Sequence, residues 1–320
     1  MDINTTFATQ EIWTWSIAVY LYLGGLGAAT LVVAFLTDMY LKPHRDLVLW
    51  GAFSGIAMLG IGSLMLFVHL LDHMAVLHVL NPLVLIRQPH AWIAWGTQFI
   101  IWMMWWGVFY ALPYMIDSPQ LGRIPLLRSL LRLGIIERLS RRCCLRFHKA
   151  IGWLATINGI GVAVYTGLLL QSFPAVALWH NPGVPLLFTV SAFSTAMAFL
   201  LLLLNLVIKR EEDRPIRVFY ERTDVMLIAA ELVILFSFFH YMSAGSESAM
   251  QSAKLLWSDL GWLIGFIGFG LIVPFFLELR CVLRGSKGHA PVMLAAVLVL
   301  FGGYLLRHYF LAAGVYAYPW

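Results

Sequence analysis

Eight stretches of this chain are long and apolar enough to cross a bilayer, which leaves few architectures open. They run over roughly 12–37, 47–71, 91–116, 149–171, 184–208, 223–244, 257–280 and 290–312. A helix needs about 18–25 apolar residues to span the hydrocarbon layer. A backbone amide left unpaired in lipid is costly, so each crossing must close its own hydrogen bonds. With 61% hydrophobic and only 12% charged residues, the composition lies far from that of a soluble domain. The expectation is an all-α integral membrane protein with eight transmembrane helices.

The basic residues set the orientation. Eighteen of the 21 Lys and Arg fall in the connectors after the first, third, fifth and seventh stretches, and Arg87, Lys254 and Arg307 fall on the other side. The side rich in Lys and Arg is the inner one, so both termini are expected outside. The net charge of +5 follows from this asymmetry and gives no argument for nucleic acid. The opening "MDINTTFATQ" has no Lys or Arg, and the first stretch reads as an uncleaved helix. The inner connector 117–148 interleaves Leu and Ile with Arg, the pattern of an amphipathic helix lying on the inner membrane surface with its arginines against anionic headgroups. No internal sequence repeat stands out, although eight helices could divide as four plus four, residues 1–182 and 183–320.

Three cysteines, Cys143, Cys144 and Cys281, form no CxxC and cannot supply four thiolates. An iron–sulfur cluster is therefore not expected in this protein. If the protein handles electrons, a partner or a bound small molecule carries them.

The chemistry gathers on the outer side. Seven of the ten histidines lie there, four of them in the connector "HLLDHMAVLHVLNPLVLIRQPHAW", residues 69–92. At about 1.5 Å per residue, the outer leaflet also holds Glu11, Trp13, Trp15, Tyr20, Tyr22, Gln98, Tyr165, Gln171, Tyr241, Asp259, Arg307 and Tyr309. Trp and Tyr belts occur at any membrane interface, and a histidine at a helix end serves equally well as a cap. Carboxylates deep in a helix are costly and usually functional. Glu231 near the middle of the sixth stretch, with Asp224 two turns nearer the inner face, is the clearest case. It reads either as part of a proton path or as a hydrogen-bonded packing residue, with Asn158 a candidate partner across the bundle.

Several segments together resemble the polysulfide reductase membrane-subunit, or NrfD-like, family. They are "WSIAVYLYLGGLGAAT", "HLLDH...NPLVLIRQPHAWIAWGTQ", "HKAIGWLATINGIGVAVYTGLLLQ", "PLLFTVSAFSTAMA" and "ERTDVMLIAAEL". The resemblance covers nearly the whole sequence. It implies a quinone-reactive, haem-free subunit of two four-helix bundles in a prokaryotic cytoplasmic membrane. It further implies an outer-face ferredoxin-like iron–sulfur partner, itself linked to a molybdopterin or other catalytic subunit. In the "WxW" of the first helix some relatives carry a histidine; this chain has Thr14, so one quinone carbonyl must find its donor elsewhere, for example at His69.

Quinol oxidation requires donors and acceptors for two ring oxygens, a path for two protons and a slot open to lipid. His69, Asp72 and Tyr165 are the expected catalytic groups, with Asp72 orienting a histidine and Arg87 holding Asp72 ionised. Trp15, Tyr20, His69, Tyr165 and Gln171 are expected to bind menaquinone or ubiquinone as substrate, and Asp72, Asp224 and Glu231 to carry protons. No resident metal is expected. Two other classes share parts of this pattern: a dihaem cytochrome using His69, His240 and His308, and a proton-coupled transporter using Glu231 and Asp224 with a break at Pro274.

Overall fold

A computed structural model of the protein describes residues 5–69, 74, 78, 80–119, 129, 131, 133–284 and 289–319. Within them the eight apolar stretches form eight helices long and apolar enough to span a membrane. They are α1 (Trp15–Leu36, continued by a π-helical turn Thr37–Leu41), α2 (Arg45–His69), α3 (Trp92–Ile116), α4 (His148–Gln171), α5 (Gly183–Leu202, continued by Leu203–Ile208), α6 (Arg214–Ser243), α7 (a π-helix Gly261–Ile272 running into an α-helix Val273–Arg284) and α8 (His289–Ala312).

The helices close into rings. α1 packs on α2 and α4, and α3 completes that ring against α2 and α4. In the second half, α5 packs on α6 and α8, and α7 completes the ring against α6 and α8. The seam between the rings is made by α1 against α5 and α8 and by α4 against α5. This accounts for the burial of α1, whose most apolar window is 78% buried against 28% for α2. Close approach of α1 and α2 depends on Gly27 and Gly55: a Cβ at Gly55 would stand 2.8 Å from the Gly27 carbonyl oxygen, a packing that small residues permit in membrane helices.

Three features depart from a reading by hydropathy. First, α6 begins at Arg214 rather than near residue 223, because its first turns carry Arg214, Arg217, Glu221 and Arg222, whose charge masks a continuous helix. Second, the apolar residues Leu255, Leu256 and Trp257 belong to a separate amphipathic helix, Glu247–Ser258, capped by Ser246 and packed against α6 and α7. Third, a small antiparallel sheet pairs β1 (Thr5–Thr9) with β2 (Val315–Pro319), Phe7 opposite Ala317.

That sheet puts both ends of the protein at one end of the molecule, called here the outer end. Gln10, 6% exposed, holds the corner: its Nε2 donates to the Trp13 and Leu311 carbonyls at 2.9 Å, and its Oε1 accepts from the Trp13 N–H at 2.8 Å. In α7 the change from π to α pitch falls beside Pro274, which has no N–H to donate into the preceding turn.

Candidate functional site

At the outer ends of α1, α2 and α4, two tyrosines meet. The Tyr20 hydroxyl donates to the Tyr165 hydroxyl at 3.0 Å, and the two residues are 2% and 1% exposed. Tyr20 lies five residues, and Tyr165 six, from the outer end of its helix, which is roughly 8–9 Å of depth. The Tyr165 ring lies where a side chain at Gly96 of α3 would otherwise stand; the absence of a Cβ there sets the position of the ring. Because Tyr20 donates, the hydrogen of the Tyr165 hydroxyl is left for a further acceptor.

His69, the last residue of α2, is joined to the start of α1. Its Nδ1 lies 3.4 Å from Ser16 Oγ, and Ser16 Oγ lies 2.9 Å from Thr14 Oγ1. Thr14 is therefore connected to His69 through one hydroxyl. Ser16 carries no signal in the sequence beyond its position one residue past Trp15.

The remaining expected residues lie elsewhere. Trp15, 61% exposed, lines an outer cleft with Glu11, Asp259, His308 and Tyr309, on the side of α7 and α8. The Gln171 carbonyl accepts from His180 Nδ1 at 2.6 Å at the end of α4. Asp72, and with it the expected Asp72–Arg87 pair, lies outside the described residues. His240 stacks on Phe236 and His308 on Tyr304, each within its own helix.

The second ring buries a column of polar groups. Ser194 Oγ of α5 donates to Asp224 Oδ1 of α6 at 2.6 Å. The Glu278 carboxyl of α7 lies close to Asp224, and both residues are 0% exposed. Two turns further out, Glu231 lies beside Ser191 and within the field of Arg307. Arg307 of α8 is itself 0% exposed; its Nη1 donates to Ser191 Oγ at 2.7 Å and to the Gly303 carbonyl at 2.8 Å, and its Nη2 to the Phe188 carbonyl at 3.0 Å. Ser191 thus lies beside Glu231 and accepts a hydrogen bond from Arg307. Asn158 does not take that place: its Nδ2 donates to the Leu154 carbonyl one turn earlier in α4.

Sequence reasoning missed Glu278 and Arg307 as members of this column. Each sits near a helix end among interface-like residues. The signal available was an acidic residue within "VPFFLELR" and an arginine five residues inside α8.

A third cluster lies at the inner end. Asp38, 4% exposed, accepts from the Tyr110 and Tyr114 hydroxyls at 2.7 and 2.9 Å and from the His44 N–H at 2.7 Å, with His148 Nε2 at 3.6 Å. Next to it His44 Nδ1 accepts from the Leu47 N–H at 3.0 Å. That fixes the hydrogen on Nε2, which donates to Asp213 Oδ2 at 2.8 Å. This bond, with Lys42 Nζ 3.8 Å from Asp213 Oδ1, ties the α1–α2 connector to the start of α6 across the two rings.

The family model described as "Polysulphide reductase, NrfD" matches residues 4–319 of this protein. Among curated relatives, a polysulfide reductase component of Wolinella succinogenes is 27% identical, the match covering 95% of this sequence and 94% of that one. "Protein NrfD" of Escherichia coli is 26% identical over 95% of each sequence. A selenate reductase component of Mesobacillus selenatarsenatis is 24% identical, over 100% of this sequence and 76% of that one.

Proposed function

The protein belongs to the polysulphide reductase NrfD family, and we propose that it is the quinone-reactive membrane subunit of a respiratory oxidoreductase complex. In this reading it exchanges electrons between the membrane quinone pool, menaquinone or ubiquinone, and a ferredoxin-like iron–sulfur subunit on the outer face. The terminal chemistry lies on a molybdopterin or other catalytic subunit. The membrane is the prokaryotic cytoplasmic one, with both termini outside. Relatives named as components of polysulfide and selenate reductases support the assignment to a reductase complex.

The observation that carries the quinone assignment is the Tyr20–Tyr165 pair, with Tyr20 one helical turn along α1 from Ser16, the residue that meets His69. A quinone ring oxygen needs a neutral donor that stays protonated in a low-dielectric site, and the Tyr165 hydroxyl, its oxygen already engaged by Tyr20, offers its hydrogen. His69 at the α2 end, tethered through Ser16, is the group that can take a proton from a quinol hydroxyl and pass it outward, with Asp72 next in line. At roughly 8–9 Å of depth the ring meets these groups while the isoprenoid tail stays in lipid. We assign this chemistry to the first half, residues 1–182. Within the second half, residues 183–320, we assign Asp224 and Glu231, joined by Glu278, Ser191 and Arg307, to proton movement.

The test is saturable binding of a quinone analogue to the purified complex, together with identification of the polypeptides that co-purify and an absorbance spectrum for haem. A complex that contains an iron–sulfur subunit yet binds no quinone analogue and shows no quinone-linked turnover would reject the reading. Haem absorbance from this protein would do the same.

A further inference from the structure

At the inner end of the first ring, an apolar groove runs between α3 and α4. Trp106 and Phe109 form one wall; Phe147, Ile151 and Leu154 form the other, with Cys143 at the mouth. The groove has a volume of about 350 Å³, and every residue lining it is apolar or a cysteine. Such a surface at the depth of the inner leaflet favours hydrocarbon over water.

The mouth of the groove is cationic. The Arg146 guanidinium stands 5.8 Å from the centroid of the Phe147 ring, which is itself part of the wall. Arg142, one turn earlier, and Lys149, one turn later, are exposed. The nearest acid in sequence, Glu137, is taken by Arg141 at 3.0 Å, and no Asp or Glu occurs from Leu139 to Gln171. An apolar slot ending in unneutralised cations matches a molecule with a hydrocarbon tail and a negative head. Basic pockets between membrane helices on the inner side are known to hold anionic headgroups.

We propose that this groove is a binding site for one anionic phospholipid, with an acyl tail between the α3 and α4 walls and its phosphate at Arg142 and Arg146. The site needs only that the protein spans a membrane and stands apart from the quinone assignment.

The complex would be reconstituted in phosphatidylcholine nanodiscs containing a minor fraction of phosphatidylglycerol, released in mild detergent, and the retained lipid counted by native mass spectrometry. Phosphatidylglycerol should be retained saturably and in preference to phosphatidylcholine. R142Q/R146Q should weaken that retention roughly tenfold or more, the loss of two surface cations. Ala150→Trp, which fills the groove without changing charge, should abolish retention as well, and glycerol phosphate in excess should displace nothing. As a second measurement on the unaltered groove walls, a bimane on Cys143 should be quenched by brominated phosphatidylglycerol and lose that quenching in R142Q/R146Q. Equal retention of the two lipids overturns the proposal, as does retention unchanged in both variants. Retention lost in R142Q/R146Q but kept in Ala150→Trp and displaced by glycerol phosphate also overturns it, assigning the arginines to a headgroup surface without an acyl site.

Discussion

Tyr20 and Tyr165, 145 residues apart in sequence, share a buried hydrogen bond of 3.0 Å in which Tyr20 is the donor. The direction separates their roles. Under the proposed assignment Tyr165→Phe removes the group offered to a quinone oxygen, whereas Tyr20→Phe removes only the group that holds it. A hydrogen bond lost from a buried site costs about 1–3 kcal/mol. Quinone-analogue affinity or quinone-linked turnover should therefore fall roughly tenfold to a hundredfold in Tyr165→Phe and less in Tyr20→Phe. His69→Ala should impair the same step. Unchanged binding and turnover in both Tyr165→Phe and His69→Ala would move the site elsewhere.

Gly96 offers an independent test of the same pocket from α3. A methyl group at this position would overlap the Tyr165 ring, and the ring must shift for Gly96→Ala to fold. Overpacking of this kind costs about 1–3 kcal/mol. The variant should assemble with a lowered thermal midpoint and lose quinone-linked turnover although no polar group has been removed. Full turnover would show that the Tyr165 hydroxyl need not be held where it stands.

Much of this architecture was legible in the sequence because a bilayer imposes length and polarity on each crossing independently. The eight helices and the depth of Tyr165 follow from counting residues. What counting cannot give is which faces meet. Glu278 sits two residues before Arg280 and reads as headgroup charge; only the packing of α7 on α6 brings it to Asp224. Arg307 reads as an interface arginine until α5 closes over it with Ser191 and the Phe188 carbonyl. The Asp38 cluster draws on residues from α1, α3 and α4, and no local pattern announces it. The helix Glu247–Ser258 was hidden because its Trp257 falls inside the seventh apolar stretch, 257–280, and the rest of it is polar or short of a spanning length.

Topology can be tested with the native thiols. Cys143 is exposed and Cys144 and Cys281 are buried, so an impermeant maleimide should label Cys143, and from the inside only, while tags at both termini are reached from outside. Burial pushes the Cys144 thiol up from its ordinary value. Less of it is thiolate at neutral pH, and only the thiolate reacts, so Cys144 should label late and gain rate as the pH is raised. Labelling of Cys143 from outside would invert the orientation.

The His44–Asp213 bond should contribute to the joint between the two rings. His44→Ala leaves the Asp213 carboxylate, 1% exposed, without its 2.8 Å donor, and the remaining Lys42 contact is long at 3.8 Å. An unsatisfied buried acceptor costs about 1–3 kcal/mol or more when charged. The thermal midpoint should drop, while Tyr165-dependent quinone binding at the opposite end is retained. An unchanged midpoint would mean that water replaces the histidine freely.

The last test concerns Glu231, Ser191 and Arg307. Glu231→Gln keeps size and hydrogen bonding but cannot ionise. It leaves the Arg307 guanidinium without its counter-charge in a fully buried site, although the bonds to Ser191, Gly303 and Phe188 remain. The two groups act on each other beyond salt-bridge distance, and the retained bonds of Arg307 should keep the loss modest, so the complex should assemble with a reduced midpoint. Pairing it with Arg307→Met removes both charges and should recover part of that stability. If Glu231 carries protons, neither form should move them during turnover in proteoliposomes, while quinone-analogue binding at Tyr165 stays intact. Ser191→Ala, which keeps both charges but removes the hydroxyl that holds Arg307, should slow proton movement without abolishing it. Full proton movement in Glu231→Gln would assign the residue to packing, because the stability loss alone is what a purely structural pair produces.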